Sequence, residues 1–207
     1  HSNLFDRDHS FTAQYITSPT ELDKVSIYGL GYRIPYYNLN STLDMFAGYS
    51  DVDSGTVQGL FNISGKGSIY GARWNYFLPK WDDIEQRVFA GLDYRAYQNL
   101  VTPTGSTFNF VPDITVHPVS ATYSAQLRQE RREYGLYFGI NQNIPGGNDG
   151  TDDVFKSSRR EARAGYRMWR AGSAVSGSFQ KDWQFRVKVD LQYSRDALIA
   201  AEQFGLG

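Results

Sequence analysis

The chain has 207 residues, a formal net charge of -1 and no cysteine. The balanced charge gives no electrostatic case for nucleic acid as the main partner, and the lack of cysteine excludes disulfides and thiolate metal sites. A mean hydropathy of -0.49 is too polar for a helical membrane protein, because each spanning helix needs about 20 mostly apolar residues.

Nine segments along the chain alternate apolar and polar side chains with a period of two residues. Successive side chains of a strand point to opposite faces, so this alternation predicts amphipathic β-strands. The clearest case runs from Phe185 to Tyr193, where every odd position is apolar and every even position is polar. In chain order the predicted strands are 9–17, 25–34, 42–50, 68–78, 86–97, 114–127, 134–144, 161–179 and 184–195.

The eighth predicted strand changes its parity part-way along. Its outward apolar positions first have even numbers and then odd numbers, which predicts a β-bulge near Trp169 and Arg170. The side chains expected to point outward are Ala162, Ala164, Tyr166 and Met168 before the change, and Ala171, Val175 and Phe179 after it.

The connections between the predicted strands alternate in length after the first one at 18–24. In an up-and-down sheet alternate connections lie at the same end, so one end is expected to have tight turns and the other long loops. Outer-membrane barrels show this asymmetry, with short turns on the periplasmic side. The short connections are 35–41, 79–85, 128–133 and 180–183, and the long ones are 51–67, 98–113 and 145–160.

Two all-β architectures produce amphipathic strands of this kind. A β-sandwich buries one face of each sheet against a second sheet, whereas a membrane barrel exposes that face to lipid. The alternation alone is compatible with both the sandwich and the barrel. The unequal ends favour the barrel, and we therefore predict an antiparallel up-and-down transmembrane β-barrel.

In such a barrel one face meets lipid and the other lines an aqueous pore. A charge on the lipid face costs about 2–4 kcal/mol near the bilayer midplane, so charged side chains are expected in the pore. The predicted pore-lining residues are Asp44, Arg73, Arg87, Asp93, Arg95, Arg186, Lys188 and Asp190. The predicted lipid-facing residues are Tyr28, Leu30, Tyr32, Trp74, Leu92, Leu136, Val187, Val189 and Leu191.

No group of residues indicates catalysis. The histidines at His1, His9 and His117 are scattered, and none has a second ligand at helical metal spacing. We therefore expect no enzymatic activity, no catalytic residue, no metal site and no cofactor. The mixed charges of the pore-lining set suit a hydrated conduit instead, because conduction needs binding weak enough to let a passing molecule go.

Six stretches carry a recognisable order of short motifs, which are Asn3–His9, Tyr15–Pro19, Tyr28–Pro35, Phe46–Gly55, Gln192–Leu198 and Ala201–Gly207. Together they resemble the two-partner secretion transporters of the outer membrane, the TpsB proteins of the hemolysin-activator and filamentous-hemagglutinin-transporter type. The resemblance spans nearly the whole chain. The order of the motifs is more specific than any one of them.

The resemblance implies a monomeric 16-stranded barrel in lipid and lipopolysaccharide, preceded by two small periplasmic domains. It implies export of one partner protein, such as a hemolysin or an adhesin, in an unfolded state and without ATP or a cofactor. In that family a segment like Ala201–Gly207 leads into a long loop that folds back into the pore.

Compared with that family, residues 1–207 are expected to form about nine strands from the middle of the barrel. The periplasmic domains and the C-terminal strands are missing, and the Arg-Gly-Tyr/Phe signature of the loop would follow Gly207. Nine strands leave two unpaired edges, which lipid does not tolerate, so we expect the rest of a larger barrel to complete them.

Other functions remain open at this point. A relative in the same superfamily inserts other barrel proteins into the membrane, and a passive porin-like channel has the same two-faced strands. A soluble β-sandwich that binds sugars or proteins is the remote alternative.

Overall fold

The computed structural model describes residues 3–19, 24–57, 61–104, 109, 111–179 and 183–204. Its strands form one antiparallel sheet in the order β1-β2-β3-β4-β5-β7-β8-β9-β10, with the short β6 paired to β5. The strands are β1 (Ser10–Thr17), β2 (Val25–Tyr36), β3 (Ser41–Val57), β4 (Phe61–Phe77), β5 (Ile84–Pro103), β6 (Ile114–Val116), β7 (Pro118–Gln129), β8 (Arg132–Asn143), β9 (Arg167–Phe179) and β10 (Trp183–Ser194). The α-helix of the described residues, α1 (Asp152–Ser158), lies between β8 and β9.

All described strands belong to this single layer. The sandwich alternative is wrong, because no second sheet packs on either face within the part of the chain that the structure describes. None of the described helices is long and apolar enough to cross a membrane.

The strand register places the apolar positions of neighbouring strands side by side. Tyr15 pairs with Tyr28, which pairs with Tyr49, and the rings of Tyr15 and Tyr28 stack with their centroids 4.9 Å apart. Val187 pairs with Val175 in the same way at the other edge. We call this side the apolar face and the opposite side, which carries the charged residues, the polar face.

The two ends of the sheet differ in their connections. The connections after β2, β4, β7 and β9 lie at one end, which we call the short-connection end. Those after β1, β3, β5, β8 and β10 lie at the other, the long-connection end, where α1 is found.

The predicted long loop at 51–67 is wrong. β3 continues to Val57 and β4 begins at Phe61, and the two arms pair antiparallel with one register shift between Asp53 and Gly55. Cross-strand pairing satisfies the backbone groups that a loop would leave to solvent. The connection itself, at 58–60, lies outside the described residues.

The predicted strand 114–127 is interrupted at His117. β6 pairs with β5, and β7 begins at Pro118, which has no N–H to give to a ladder. His117 lies between the two strands, and its N–H donates to Oδ1 of Asn143 at 2.6 Å. The buried side chain of Asn143, at the end of β8, therefore takes the place of a strand partner for this N–H.

The prediction for residues 161–179 is also wrong in its first half. β9 begins at Arg167, and its pairing with both neighbours runs without a shift through Trp169 and Arg170, so there is no bulge. The four side chains predicted to point outward are buried. They pack into the chain's main apolar cluster, whose members are Ile114, Val116, Phe155, Ala162, Ala164, Tyr166, Met168, Leu198 and Ile199.

Candidate functional site

The polar face is concave. A depression of about 740 Å³ is lined by side chains from six neighbouring strands of the sheet, β4, β5 and β7 to β10. Five of the eight predicted pore-lining residues come together there, namely Arg73, Arg87, Asp93, Arg95 and Lys188. The other three, Asp44, Arg186 and Asp190, lie on the same face of their strands but outside this depression.

Each predicted pore-lining carboxylate has a basic partner. Asp93 is only 5% exposed and lies 2.7 Å from Arg95 and 3.6 Å from Arg73. Asp44 accepts from Arg33, with 2.5 Å between Nε and Oδ1. Such pairing neutralises carboxylates that the wall partly removes from water.

Asp190 has two donors. Lys188 Nζ lies 2.7 Å from Oδ2, and the hydroxyl of Tyr137 donates to Oδ1 at 2.7 Å. Among the described residues, Arg87 and Arg186 have no carboxylate partner, and both are exposed. These two guanidinium groups are therefore free to meet a solute.

Two glycines on the polar face allow an aromatic ring to lie across a strand. Tyr137 pairs with Gly172 and Gly172 with Asp190, and a Cβ on Gly172 would collide with the Tyr137 ring and lie 2.7 Å from Asp190 Oδ1. Phe46, Gly71 and Asp93 repeat this arrangement across β3, β4 and β5. In both triplets the missing side chain lets the ring reach over the strand to the carboxylate beyond it.

The apolar cluster packs against the polar face at the long-connection end. It joins the connections after β5, β8 and β10, and we call this cluster of nine residues the cap. Asn143, which is 1% exposed, fastens it by donating to the carbonyl of Ala164 at 2.7 Å while accepting from His117 N–H. Arg159 donates to the carbonyl of Leu198 at 2.6 Å and ties the helix connection to the segment after β10.

Glu202 anchors that last segment to the wall of the sheet. Its carboxylate is 3% exposed and accepts from Arg95 Nη1 at 3.1 Å and from the Tyr97 hydroxyl at 3.3 Å. Gln192 also donates to its main-chain carbonyl at 3.2 Å. Arg95, Tyr97 and Gln192 all lie on the polar face, so the segment runs along that face.

Burial raises the pKa of Tyr166 in the cap, and the nearby negative charge of Glu202 raises it further. Its ring is fully buried against Phe155, with 6.4 Å between centroids. Burial together with the charge of Asp149 raises the pKa of Asp113, just before β6. Among the described side chains, no three His, Asp or Glu come close enough to hold a metal ion.

The family model for the haemolysin secretion/activation proteins ShlB/FhaC/HecB matches residues 2–207 of this chain. The chain belongs to this family. ShlB/FhaC/HecB proteins are two-partner secretion transporters of the bacterial outer membrane, which identifies that membrane as the location of this chain.

The sheet has the barrel fold of this ShlB/FhaC/HecB family. It is similar to CdiB from Escherichia coli, with a TM-score of 0.80 at 14% sequence identity over 100% of this chain. The match covers 38% of the CdiB chain. No curated protein sequence matches the chain.

The nine residues predicted to face lipid occupy the apolar face of this ShlB/FhaC/HecB-type sheet. Eight of them are exposed, including Leu92 at 61% and Leu191 at 64%. The ninth, Tyr32, is half-buried, and its hydroxyl lies 2.7 Å from Nδ1 of His9.

Sequence reasoning missed several residues that organise the polar face. Tyr97 and Tyr137 are aromatic residues at polar positions of the alternation, and that break in the pattern was a signal. Arg170 donates to Gln192, which in turn holds the segment with Glu202. For Glu202 no sequence pattern was available, since its partner Arg95 lies 107 residues earlier.

Proposed function

We propose that this protein forms an outer-membrane pore that exports a large partner protein, of hemolysin or adhesin type, in an unfolded state. Membership of the ShlB/FhaC/HecB family supports a secreted protein as the cargo. The observation that carries the proposal is the concave polar face, where charged and hydroxyl side chains from six strands surround one depression.

The charge pattern of the polar face suits a chain that must pass without being held. Paired groups such as Asp93 with Arg95 offer hydrogen bonds but little net charge, whereas Arg87 and Arg186 remain open to solvent. A passing polypeptide of varied sequence would exchange these contacts one by one. Conduction needs sites that bind weakly enough to release their occupant.

We propose that the apolar face meets lipid and lipopolysaccharide and that the barrel is monomeric. The exposure of large apolar side chains along a whole face supports this, because a soluble monomer rarely exposes an apolar patch larger than a few hundred Å². We also propose that residues 1–207 are part of a larger barrel. The outer edges of β1 and β10 have no strand partner among the described residues, and lipid requires such edges to be paired.

The test is secretion in the host cell. The gene is deleted, and a large protein encoded beside it is measured in the medium and in the periplasm. We expect that protein to disappear from the medium and to return when the wild-type gene is restored. Undiminished secretion would contradict export.

The same deletion strain distinguishes the other two candidate functions. A fall in the amounts of unrelated outer-membrane barrels, with export intact, would favour the insertase. A change confined to the uptake of small solutes would favour a porin-like channel. Export lost with both other readouts unchanged is the result expected here.

A further inference from the structure

The apolar face is not uniform, because it contains a groove of about 620 Å³ near the short-connection end. Two neighbouring rows of side chains form it across the strands from β5 to β10. The floor of the groove carries the small side chains of Ala125 and Ser173, which pair with Leu136 from either side. The walls are larger and apolar, namely Trp81, Ile84, Leu127, Tyr134, Val175, Val187 and Val189.

The amide in these rows, that of Gln86, has a partner within the sheet. Gln86 lies on the apolar face opposite Ala125, and its Oε1 accepts from the hydroxyl of Tyr123 at 2.7 Å. A buried amide without such a partner would repel hydrocarbon. The groove therefore offers an apolar surface to whatever occupies it.

A basic residue stands at the end of the groove. Arg132 lies on the apolar face one pair beyond Tyr134, opposite Gln129 and Gly177. A Cβ built on Gly177 would lie 3.1 Å from Arg132 Cγ and 3.1 Å from the Phe185 ring, so the stem of Arg132 and Phe185 meet over this glycine. Arginine commonly buries its stem this way while its guanidinium reaches the polar boundary.

Arg132 is exposed, and like its neighbour Arg131 it has no carboxylate partner within the described residues. Two other basic groups nearby differ in this respect. Arg128 pairs with Glu133 at 3.3 Å, and Lys80 pairs with Glu85 at 2.8 Å. Beside the groove, Arg131 and Arg132 are therefore basic groups without a carboxylate partner among the described residues, and Arg186 is a third at this end but on the polar face of β10.

Exposed aromatic side chains surround the same level. Trp81 is 73% and Trp183 is 70% exposed, and Trp and Tyr are enriched where a membrane meets water. A guanidinium at the membrane depth of these tryptophans lies where the phosphate groups of the lipids lie. Barrels of the outer membrane have their short turns on the periplasmic side, where the leaflet consists of phospholipid.

We infer that this groove binds one anionic phospholipid, with its phosphate on Arg132 and Arg131 and an acyl chain between Tyr134, Leu136 and Val187. Guanidinium groups bind phosphate oxygens through paired charge-assisted hydrogen bonds. A zwitterionic headgroup adds an ammonium that the two arginines repel, so a headgroup with a net negative charge is preferred. The inference rests on the proposed contact of the apolar face with lipid. It does not depend on export, so a negative secretion assay would leave the lipid inference standing, and a negative lipid assay would leave the export proposal standing.

The test uses the purified full-length protein in detergent and native mass spectrometry. Phosphatidylglycerol and phosphatidylethanolamine with identical acyl chains are titrated in parallel, and inorganic phosphate is added as a separate competitor. The variants are Arg132→Gln, which removes the charge, and Ser173→Leu, which fills the floor. Arg128→Gln is the matched control, because it removes an arginine from the same hairpin on the polar face.

We expect wild-type protein to bind phosphatidylglycerol about tenfold more tightly than phosphatidylethanolamine, and inorganic phosphate to leave this unchanged. Arg132→Gln should abolish the preference, Ser173→Leu should weaken both lipids, and Arg128→Gln should match wild type. Equal wild-type affinities, a preference that survives Arg132→Gln, or displacement by inorganic phosphate would each overturn the inference. If Arg132→Gln does not fold, the lipid preference of the wild type and the affinities of Ser173→Leu still test the inference.

Discussion

Arg95 on β5 and Glu202 after β10 form an ion pair at 3.1 Å across 107 residues of chain. Glu202 is 3% exposed, and Arg95 also holds Asp93 at 2.7 Å. One guanidinium thus joins the wall of the sheet to the segment that follows its last strand. The position of that segment on the polar face depends on this pair and on the packing of Leu198 and Ile199 into the cap.

Glu202→Gln should loosen the last segment while leaving the sheet intact. Glutamine keeps an oxygen that can accept from Arg95 but loses the charge, and breaking a buried pair is costly. Because Asp93 still neutralises Arg95, we expect a loss of only about 1–3 kcal/mol in the local stability of the cap. Hydrogen exchange at residues 198–203 measures it.

The control for this change is Glu130→Gln, an exposed glutamate in the turn between β7 and β8. It should leave exchange in the last segment unchanged. Equal protection of residues 198–203 in wild type and Glu202→Gln would contradict the anchoring role.

Gly172→Ala should destabilise the sheet, because the new methyl group meets the Tyr137 ring and the carboxylate of Asp190. Overpacking of this kind costs about 1–3 kcal/mol. Gly135→Ala is the matched variant on the neighbouring strand, where no atom lies within 4 Å of the added Cβ. Urea unfolding in detergent should show a loss for Gly172→Ala and no loss for Gly135→Ala, and equal midpoints would contradict the triplet packing.

Arg186→Glu should change the ion preference of the pore without changing its folding. The Arg186 side chain is exposed, and among the described residues it has no carboxylate partner, so reversing its charge breaks no pair. We expect the reversal potential under a salt gradient to move toward cation preference. Lys156→Glu lies on α1, outside the strands of the sheet, and serves as the charge-matched control. Identical reversal potentials for the two variants would count against a pore-lining Arg186.

The stability of the cap should depend on pH through Asp113. Burial and the charge of Asp149 raise the pKa of Asp113 in the folded chain, so the folded state favours the protonated form. The contribution of this group to stability is fully present below the ordinary aspartate pKa, and it is lost as the pH rises through the raised pKa. At pH 7 the ionised carboxylate is therefore a net cost at the start of β6, next to the cap, and the cost is small because Asp113 is exposed.

Asp113→Asn should for this reason protect the cap at pH 7 and make no difference below the ordinary aspartate pKa. Hydrogen exchange of Ile114–Val116 across this pH range measures the effect. Asp83→Asn, at an exposed turn of the short-connection end, should show no such trend. Equal protection at pH 7 for Asp113→Asn and wild type would rule out this source of pH dependence.

The alternation of side chains predicted most strand faces because it depends only on neighbouring residues. It could not separate a strand from a buried connection, and Ala162, Ala164 and Tyr166 show why. Their alternation has the same period as a strand. The surface that buries them comes partly from α1 nearby and partly from Leu198 and Ile199, which are more than 30 residues away in the sequence.

Composition misled the prediction at 51–67 for a different reason. Gly, Ser and Asp are typical of turns, and Asp51, Asp53 and Gly55 look like a loop. Pairing along two 17-residue strands outweighs these weak local preferences, because each added pair satisfies backbone groups. Glu202 lay beyond sequence reasoning because long-range ion pairs leave no local pattern.

The most direct test of the central claim is the accessibility of spin labels along β10. The chain has no cysteine, so single cysteines at each position from 185 to 193 can carry a nitroxide in the protein reconstituted into bilayers. We predict a two-residue period, with greatest collision with oxygen at Val187, Val189 and Leu191 and greatest collision with a water-soluble nickel complex at Arg186 and Lys188. Equal accessibility of the two sets, or the opposite phase, would contradict a wall between lipid and an aqueous pore.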